Sequence, residues 1–360
     1  MSHLDWAFYY APPGGSSTTL LDNVQSFSLE QGRSGIQEPF RSSSGTITGR
    51  VPSALPTIDV NGIIEVYTSV GGTFITTLNV NDFVIDYGIV EDEDSWTITL
   101  EDALGQAGRV TTTVSWTAGT TTRNAADQAC TAAGMILDSY MQDVPSETVS
   151  AQSIVNESLL TVLQQLASTE QAFITGLGFN LIHWDSQKYA LPTAPNTVFT
   201  DGTAGTPSAI DVQFDSVQFA GIADNFFTKV IVTPSGGASQ EAGSTGRTLD
   251  VATYSETNAD ALDDANYILA QVNIDTKIPF MISALYESQS NDAIILPRPG
   301  SMCTVILRGN TYQVYVLSRQ ISSVPGQTRF TYGVTDALAI GYFRLDNTYF
   351  GVLDQNKLGW

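Results

Sequence analysis

Short runs of alternating apolar and polar residues, separated by turn residues, restrict the fold of this chain more than any other feature. Six such runs lie near the N-terminus, with Gly, Pro or Asn between them. They span 24–30, 43–50, 62–67, 74–78, 82–90 and 95–100. A period of two places alternate side chains on opposite faces of a strand, and closely spaced strands of this kind form a barrel or a sandwich. The sequence therefore predicts a barrel or sandwich over 23–110, which is called the first β-barrel below.

A leucine-rich segment in the middle of the chain predicts an amphipathic helix that leads into a hairpin. Leu159, Leu163 and Leu166 recur at helical spacing, with glutamines on the opposite face. The period then changes to two around a Gly-Leu-Gly turn at 176–178, which predicts a hairpin. The residues expected to cap this helix or to favour its first turn are Asn156, Ser158 and Glu157.

Further elements divide the rest of the chain into two parts. A strand over 110–116, a helix over 123–135, a short strand over 144–149 and a loop over 188–207 complete an α/β module at 111–205. Strand alternation resumes at 210–214 and 225–233, and again at 279–285, 302–307, 311–317 and 330–334. A third helix over 259–272 interrupts it. We therefore predict a second β-barrel at 206–335 with a helical insertion at about 245–290.

Both ends of the chain carry aromatic residues that need burial. Prolines and glycines follow the aromatics of an N-terminal arm (1–22), which either lies on a neighbouring subunit or folds back on its own domain. A C-terminal extension (336–360) is predicted to dock on a neighbour, because its apolar side chains need cover. The candidate interface residues are Phe8, Tyr9, Tyr10, Phe343, Leu345, Tyr349, Phe350, Leu353 and Trp360.

The charge balance excludes a generic nucleic-acid binder. The 360 residues include 37 acidic and 15 basic side chains, for a formal net charge of -22. Affinity for nucleic acid comes largely from basic groups that neutralise phosphates, and no basic footprint is present. No run approaches the ~18 to 20 apolar residues of a spanning helix. Because 1–6 lack a basic and apolar leader, we expect the protein to stay in the cytoplasm until it is released by another route.

No pattern of reactive side chains predicts an enzyme, a cofactor or a metal site. Cys130 and Cys303 form no metal motif and are expected to be buried thiols. His3 and His183 have no partner at the spacing of a triad or a zinc site. The acidic run at 91–94 is expected to be a solvated hairpin tip, because no Ca²⁺ loop pattern surrounds it.

Four segments, in order, resemble the tail-hub proteins of long-tailed bacteriophages, known as minor tail proteins in phages of actinobacteria. The central helix is followed by Phe-Ile-Thr-Gly-Leu-Gly-Phe-Asn-Leu at 173–181, as in that family. The other three are the first-barrel strands, the helix, strand, helix and hairpin unit, and the strand at 225–233 with its Gly hairpin. Within the first barrel, the resemblance rests on the Gly32-Arg33 turn, Phe40, the strand 45–50 and Asp102-Ala103-Leu104. The family has a longer polar run where this chain has 50–52.

The resemblance implies a mainly β fold with α/β insertions, in which two tail-hub barrels carry small helix-containing modules. It implies a non-enzymatic virion protein, assembled in the host cytoplasm and placed at the tail tip or baseplate. A homotrimer with two barrels in each protomer would present six similar units and so join a sixfold tail tube to threefold tip components. The implied partners are distal tail or tube proteins, other tip or fibre proteins and the tape measure protein, with DNA passing through the lumen without sequence-specific binding.

Three alternatives remain at the level of sequence. A hexameric distal tail ring also uses a β-barrel at the end of the tube. A carbohydrate-binding adsorption protein is a second, for which Trp116, Trp184 and Trp360 are the sugar-stacking candidates. A wall-degrading hydrolase is the least favoured, because abundant carboxylates alone do not define a catalytic pair.

Overall fold

The computed structural model of this protein describes most of the chain. The described ranges are 4–15, 19–33, 39–50, 58–59, 61–70, 73–74, 80–91, 95–138, 147–176, 180–186, 197–201, 210–211, 217–219, 226–273, 278–286 and 297–336. The helices are α1 (Ala103–Arg109), α2 (Thr122–Ala132), α3 (Leu159–Glu170) and α4 (Asn258–Val272).

Strands predominate over helices along the chain. The strands of the first half are β1 (Leu4–Ala11), β2 (Thr19–Leu20), β3 (Val24–Gly32), β4 (Ser44–Arg50), β5 (Ile63–Val70), β6 (Thr73–Phe74), β7 (Val80–Glu91), β8 (Ser95–Glu101), β9 (Thr111–Trp116), β10 (Thr120–Thr121), β11 (Ile136–Asp138), β12 (Thr148–Val149) and β13 (Gln152–Ser158). Those of the second half are β14 (Ala172–Gly176), β15 (Leu181–Ser186), β16 (Thr197–Thr200), β17 (Ile210–Asp211), β18 (Val217–Phe219), β19 (Lys229–Pro234), β20 (Gln240–Gly243), β21 (Thr248–Thr253), β22 (Pro279–Leu285), β23 (Met302–Leu307), β24 (Asn310–Val324) and β25 (Gln327–Asp336). The predicted mainly β fold with helical modules is confirmed.

One sheet of 15 strands joins the two ends of the chain. Its strand order is β17-β16-β23-β24-β3-β4-β8-β7-β5-β1-β2, with β6 on β5 and a branch from β24 through β25 and β22 to β18. The central pairing is β3 with β24, where Leu29 lies opposite Ile321. In the described part of the chain this order does not close into a ring. Two separate closed barrels are therefore not seen among the described residues. Most strands assigned to the two predicted barrels lie in two arms of one sheet, which meet where β3 pairs with β24.

A shared core lies against this large sheet. Its buried side chains come from both ends of the chain and include Leu29, Ile47, Trp96, Val305, Ile321 and Phe330. Along β8 half-buried and buried residues alternate, because every second side chain of the strand faces this core. The predicted domain limits at 23–110, 111–205 and 206–335 stay predictions.

The helices and four small sheets form a second core. α3 lies in its centre, with Leu159, Leu163 and Leu166 fully buried, and contacts α1, α2, β13, β14 and β21. The predicted hairpin after α3 is present, because β14 pairs antiparallel with β15. The stretch 225–233, assigned by the sequence to the second barrel, instead supplies β19 to a separate sheet with β20 and β21. α4 packs on that sheet and covers one face, which produces the same alternation as a barrel strand.

The start of α3 differs from the prediction. Asn156 and Glu157 lie in β13, which pairs with β9 up to Ser158 opposite Thr111. Asn156 has a φ of 53°, and Ser158 makes no capping hydrogen bond through its side chain. Asn156 lies at a register shift in this pairing, between Ile154 and Glu157. Ser158 ends β13 and takes the N-cap position, and the helix begins at Leu159. The short helix α1 was not predicted, because the sequence indicated a strand ending near Asp102.

Candidate functional site

The aromatic residues of the predicted N-terminal arm belong to the large sheet. β1 pairs with β5 along its length, from Leu4 opposite Val70 to Ala11 opposite Ile63. Phe8 and Tyr10 are 1% and 4% exposed. This segment therefore folds back on its own domain, the alternative that the sequence left open, and these two side chains are unavailable as a free docking surface.

Tyr9 lies on the other face of β1 from the buried Phe8 and Tyr10. Its predicted role at an interface stays a prediction. Its half-buried ring lies 5.5 Å from the ring of Tyr67 in an edge arrangement. The remaining candidate interface residues lie outside the described residues. They are Phe343, Leu345, Tyr349, Phe350, Leu353 and Trp360.

Two of the three sugar-stacking candidates are buried. Trp116 is 5% exposed and Trp184 is 4% exposed. The indole of Trp116 donates to the backbone oxygen of Ser150 at 3.1 Å, and that of Trp184 donates to a carboxylate oxygen of Glu170 at 3.5 Å. Both tryptophans are core residues, so neither offers a ring face to a sugar in solvent. Trp360 lies outside the described ranges.

Within the described ranges, Cys130, Cys303 and His183 form no reactive cluster. Cys130 and Cys303 are buried thiols, as predicted, and burial raises the pKa of each to about 12. His183 lies 3.5 Å from a carboxylate oxygen of Asp138, and neither residue is fully buried. Among the described residues, no group of His, Cys, Asp and Glu side chains is arranged to hold a metal ion. In the same ranges no helix is long and apolar enough to cross a membrane.

The most distinctive polar site lies where β3 leaves the large sheet and meets the helical module. β3 ends at Gly32, whose φ of 93° is readily adopted only by glycine. A Cβ at Gly32 would lie 2.2 Å from the backbone oxygen of Leu317. The same oxygen accepts a hydrogen bond of 3.0 Å from the backbone nitrogen of Arg33. This close approach directs the Arg33 side chain into the junction.

Two aromatic rings hold the guanidinium of Arg33. Its central carbon lies 4.5 Å from the ring centroid of Phe40 and 4.3 Å from that of Phe173. The two rings are 5.3 Å apart in an edge arrangement. Such contacts attract a cation to the ring faces. The aliphatic stem of the arginine packs on the same apolar surface.

Arg33 is half-buried, and no acid among the described residues contacts its guanidinium. Its Nε is buried and has no hydrogen-bond partner. Burial lowers the pKa of Arg33 to about 9, opposed by weaker contributions from Tyr315 and Tyr267. A group with that pKa remains positively charged at neutral pH. The site is therefore a cation held among aromatic rings.

A cleft of about 280 Å³ opens at this cation. Phe40 and Pro39 form one wall, and the polar face of α3 forms the other. Gln164 bridges the walls by donating from Nε2 to the backbone oxygen of Phe40 at 2.7 Å. Other polar side chains that line the cleft are Gln165, Ser168 and Gln171. The Gly32-Arg33 turn and the glutamine face were visible in the sequence, but their meeting required the tertiary fold.

The fold of this chain is that of tail proteins from phages and prophages. It is similar to the 43 kDa tail protein of prophage MuSo2 from Shewanella oneidensis, with 13% identity, a TM-score of 0.64, and coverage of 93% of this chain and 99% of that one. It is also similar to a tail protein from Neisseria meningitidis MC58, with 12% identity, a TM-score of 0.63, and coverage of 92% and 97%. Prophage tail protein gp18 from Listeria monocytogenes EGD-e gives 12% identity, a TM-score of 0.55, and coverage of 91% and 94%.

The likeness lies in the fold. No protein-family model matches the sequence, and no curated protein matches it. The resemblance to phage tail proteins that four short segments indicated is confirmed at the level of the fold. Because each similar structure is matched along nearly its whole length, the shared feature is the complete arrangement of large sheet and helical module.

Proposed function

We propose that this chain is a structural protein of a phage tail, placed at the tail tip or baseplate. The observation that supports the proposal best is the near-complete coverage, in both directions, of a prophage tail protein by this fold. The described residues offer no reactive cluster, so assembly through surfaces accounts for the chain better than catalysis does. The protein acts by binding its neighbours in the virion and requires no cofactor.

In the assembly that we propose, three copies form a ring around the DNA channel. Each copy contributes the two arms of its large sheet, so that three copies present six similar units to the tail. Such a ring joins a sixfold tube to threefold tip components. Its partners are distal tail or tube proteins, the tape measure protein and further tip or fibre proteins. The ring is assembled in the host cytoplasm and acts in genome ejection.

The negative charge of the chain suits a channel through which DNA slides. With a formal net charge of -22, a ring of such chains repels phosphates wherever carboxylates face the lumen. A basic lumen would instead bind the backbone and slow its passage. The charge thus supports a conduit that lets DNA pass without binding it.

Two alternatives make different predictions. A hexameric distal tail ring would contain six copies. A carbohydrate-binding role has lost its main support, because Trp116 and Trp184 are buried.

Deletion of the gene from the phage or prophage that encodes this chain tests the proposal. Particles made without the chain should lack a complete tail end and should be non-infectious, and supplying the wild-type chain in trans should restore both. Gold-labelled antibodies against the chain should mark the tail end of wild-type particles. Deletion particles with normal, infectious tails would contradict the proposal.

A further inference from the structure

Arg33 stands out because, among the described residues of a strongly acidic protein, its guanidinium contacts no carboxylate. The chain has 37 acidic residues for 15 basic ones, yet no described carboxylate contacts the Arg33 guanidinium. Removing a charge from water without pairing it is costly, and proteins ordinarily pair such groups. The cleft beside Arg33 leaves room for an acid that the described residues of the single chain do not supply.

We propose that this cleft binds an Asp or Glu side chain from a second copy of the chain, with the carboxylate seated against the Arg33 guanidinium. The inference rests on the proposed function to the extent that the copies assemble into a ring. It adds a defined contact within that ring, in which one protomer provides the cleft and its neighbour provides the acid.

The chemistry of the cleft fits a carboxylate. A guanidinium is a planar set of donors that matches the two oxygens of a carboxylate. Phe40 and Phe173 hold the guanidinium in place before binding, so little order has to be gained when the acid arrives. The amide side chains of Gln165 and Gln171 line the same cleft and offer further hydrogen bonds.

The charge of the chain opposes the approach of any free acid, so an acid seated at Arg33 needs further contacts that hold it there, as an interface between two chains provides. A small anion approaches a molecule with a formal net charge of -22 against its overall field. An acid on a second copy is brought in by the remainder of the interface. Contacts between two such acidic chains need local complementarity, because like charges that meet across an interface oppose binding. Arg33 supplies a positive group at such a contact.

Replacement of Arg33 should change the self-association of the chain without lowering the stability of the single chain. Arg33→Met keeps a long apolar side chain between the two rings and removes the buried charge. The single chain should therefore unfold at a temperature no lower than that of the wild type. Association should weaken, because the carboxylate of the second copy would then be covered without a partner.

Sedimentation velocity of the purified full chain over a range of concentrations tests the proposal. We expect wild-type protein to self-associate and Arg33→Met to raise the association midpoint on the order of thirtyfold or more. Arg33→Lys should retain part of the association because it retains the charge. Raising the salt concentration from about 0.1 M to about 1 M should weaken the wild type more than Arg33→Met.

Arg329→Met is the matched control. Arg329 is exposed on β25 and donates to the hydroxyl of Ser283, so this change removes the same charge away from the cleft and should leave association unchanged. If the Arg33→Met variant associates as strongly as the wild type, the proposal is overturned. It is also overturned if the variant loses association and unfolds at a lower temperature than the wild type. A wild-type chain that remains monomeric would overturn it too. Placement of the chain in the tail tests the proposed function separately.

Discussion

Asp102 is a buried carboxylate that starts α1. Its Oδ1 accepts from the backbone nitrogen of Leu104 at 2.9 Å and from the hydroxyl of Ser42 at 2.9 Å. Its Oδ2 is buried without a hydrogen-bond partner, and Gly176 packs so closely that a Cβ there would lie 2.7 Å from it. Burial is the main cause that raises the pKa of Asp102, with hydrogen bonds from the Ser42 and Ser43 region opposing it.

The raised pKa of Asp102 predicts a pH dependence of stability with a definite sign. The folded state favours the protonated carboxyl, so its contribution is full below the unfolded pKa and is lost as the pH rises through the folded pKa. Asp102→Asn keeps an acceptor for Leu104 and cannot ionise. We expect urea unfolding to show wild type gaining stability relative to Asp102→Asn as the pH falls from about 7 to about 4.

The control for this measurement is Asp22→Asn, which neutralises an exposed carboxylate. Its difference from wild type should change far less over the same pH range. A gap between wild type and Asp102→Asn that is independent of pH, or that changes in the opposite direction, would contradict the account. Asp102→Ala should cost about 1 to 2 kcal/mol at about pH 7 because it removes the cap itself, and its difference from wild type should grow as the pH falls, as for Asp102→Asn.

Single residues were only partly predictable from the sequence. The buried state of Cys130 and Cys303 followed from composition, because free thiols are among the most buried groups. The caps of α3 were partly right: Ser158 takes the N-cap position but makes no side-chain capping hydrogen bond. Asn156 lies in β13, because pairing between β13 and β9 is a tertiary contact that local capping preference does not reveal. The role of Arg33 was also out of reach, since Phe40 and Phe173 lie far from each other in the sequence.

Among the elements, β3 and β24 approach each other closely where β3 ends at Gly32. Gly32 has a φ of 93° and lies opposite Ser318 in this pairing. A Cβ at Gly32 would lie 2.2 Å from the Leu317 oxygen and 2.9 Å from Ser318 Cα, both of which are backbone atoms. Backbone in a paired strand cannot move aside without breaking the ladder.

Gly32→Ala should therefore destabilise the fold more than a glycine replacement with the same backbone strain in open space. Gly309 is the matched site, with a φ of 78° and nothing within 4 Å of an added Cβ. We expect Gly309→Ala to cost about 1 to 3 kcal/mol from backbone strain, and Gly32→Ala to cost clearly more. Urea unfolding measures both; equal costs would show that the close approach at Gly32 is unimportant.

Elements with strong periodicity were predicted well. The limits of β22 (Pro279–Leu285) and β23 (Met302–Leu307) coincide with the predicted strands, and α4 begins one position before its predicted start. α1 was missed because its seven residues give too short a pattern to separate helix from strand. The sequence assigned β19 to the second barrel and not to its own sheet with β20 and β21. Alternating apolar and polar residues indicate that one face of a strand is covered, but not which element covers it.

At the scale of the whole molecule, long-range pairing decides the architecture. Arg319 on β24 donates from Nε to the side-chain oxygen of Gln31 on β3 at 3.0 Å, across a separation of 288 residues. Alternating strands are interchangeable as partners on sequence grounds, so the joining of the two arms into one sheet was not predictable from the pattern. The overall likeness to phage tail proteins was predictable, because it depends on the order of elements along the chain.

The ring of three copies that we propose around the DNA channel at the tail end fixes both the number and the place of the copies. A cryo-EM reconstruction of the intact tail tests it most directly, because the copies can be placed and counted. The account predicts three copies enclosing the channel below the last ring of the tube, with acidic side chains facing the lumen. Six copies in one ring, or copies confined to peripheral fibres, would contradict it.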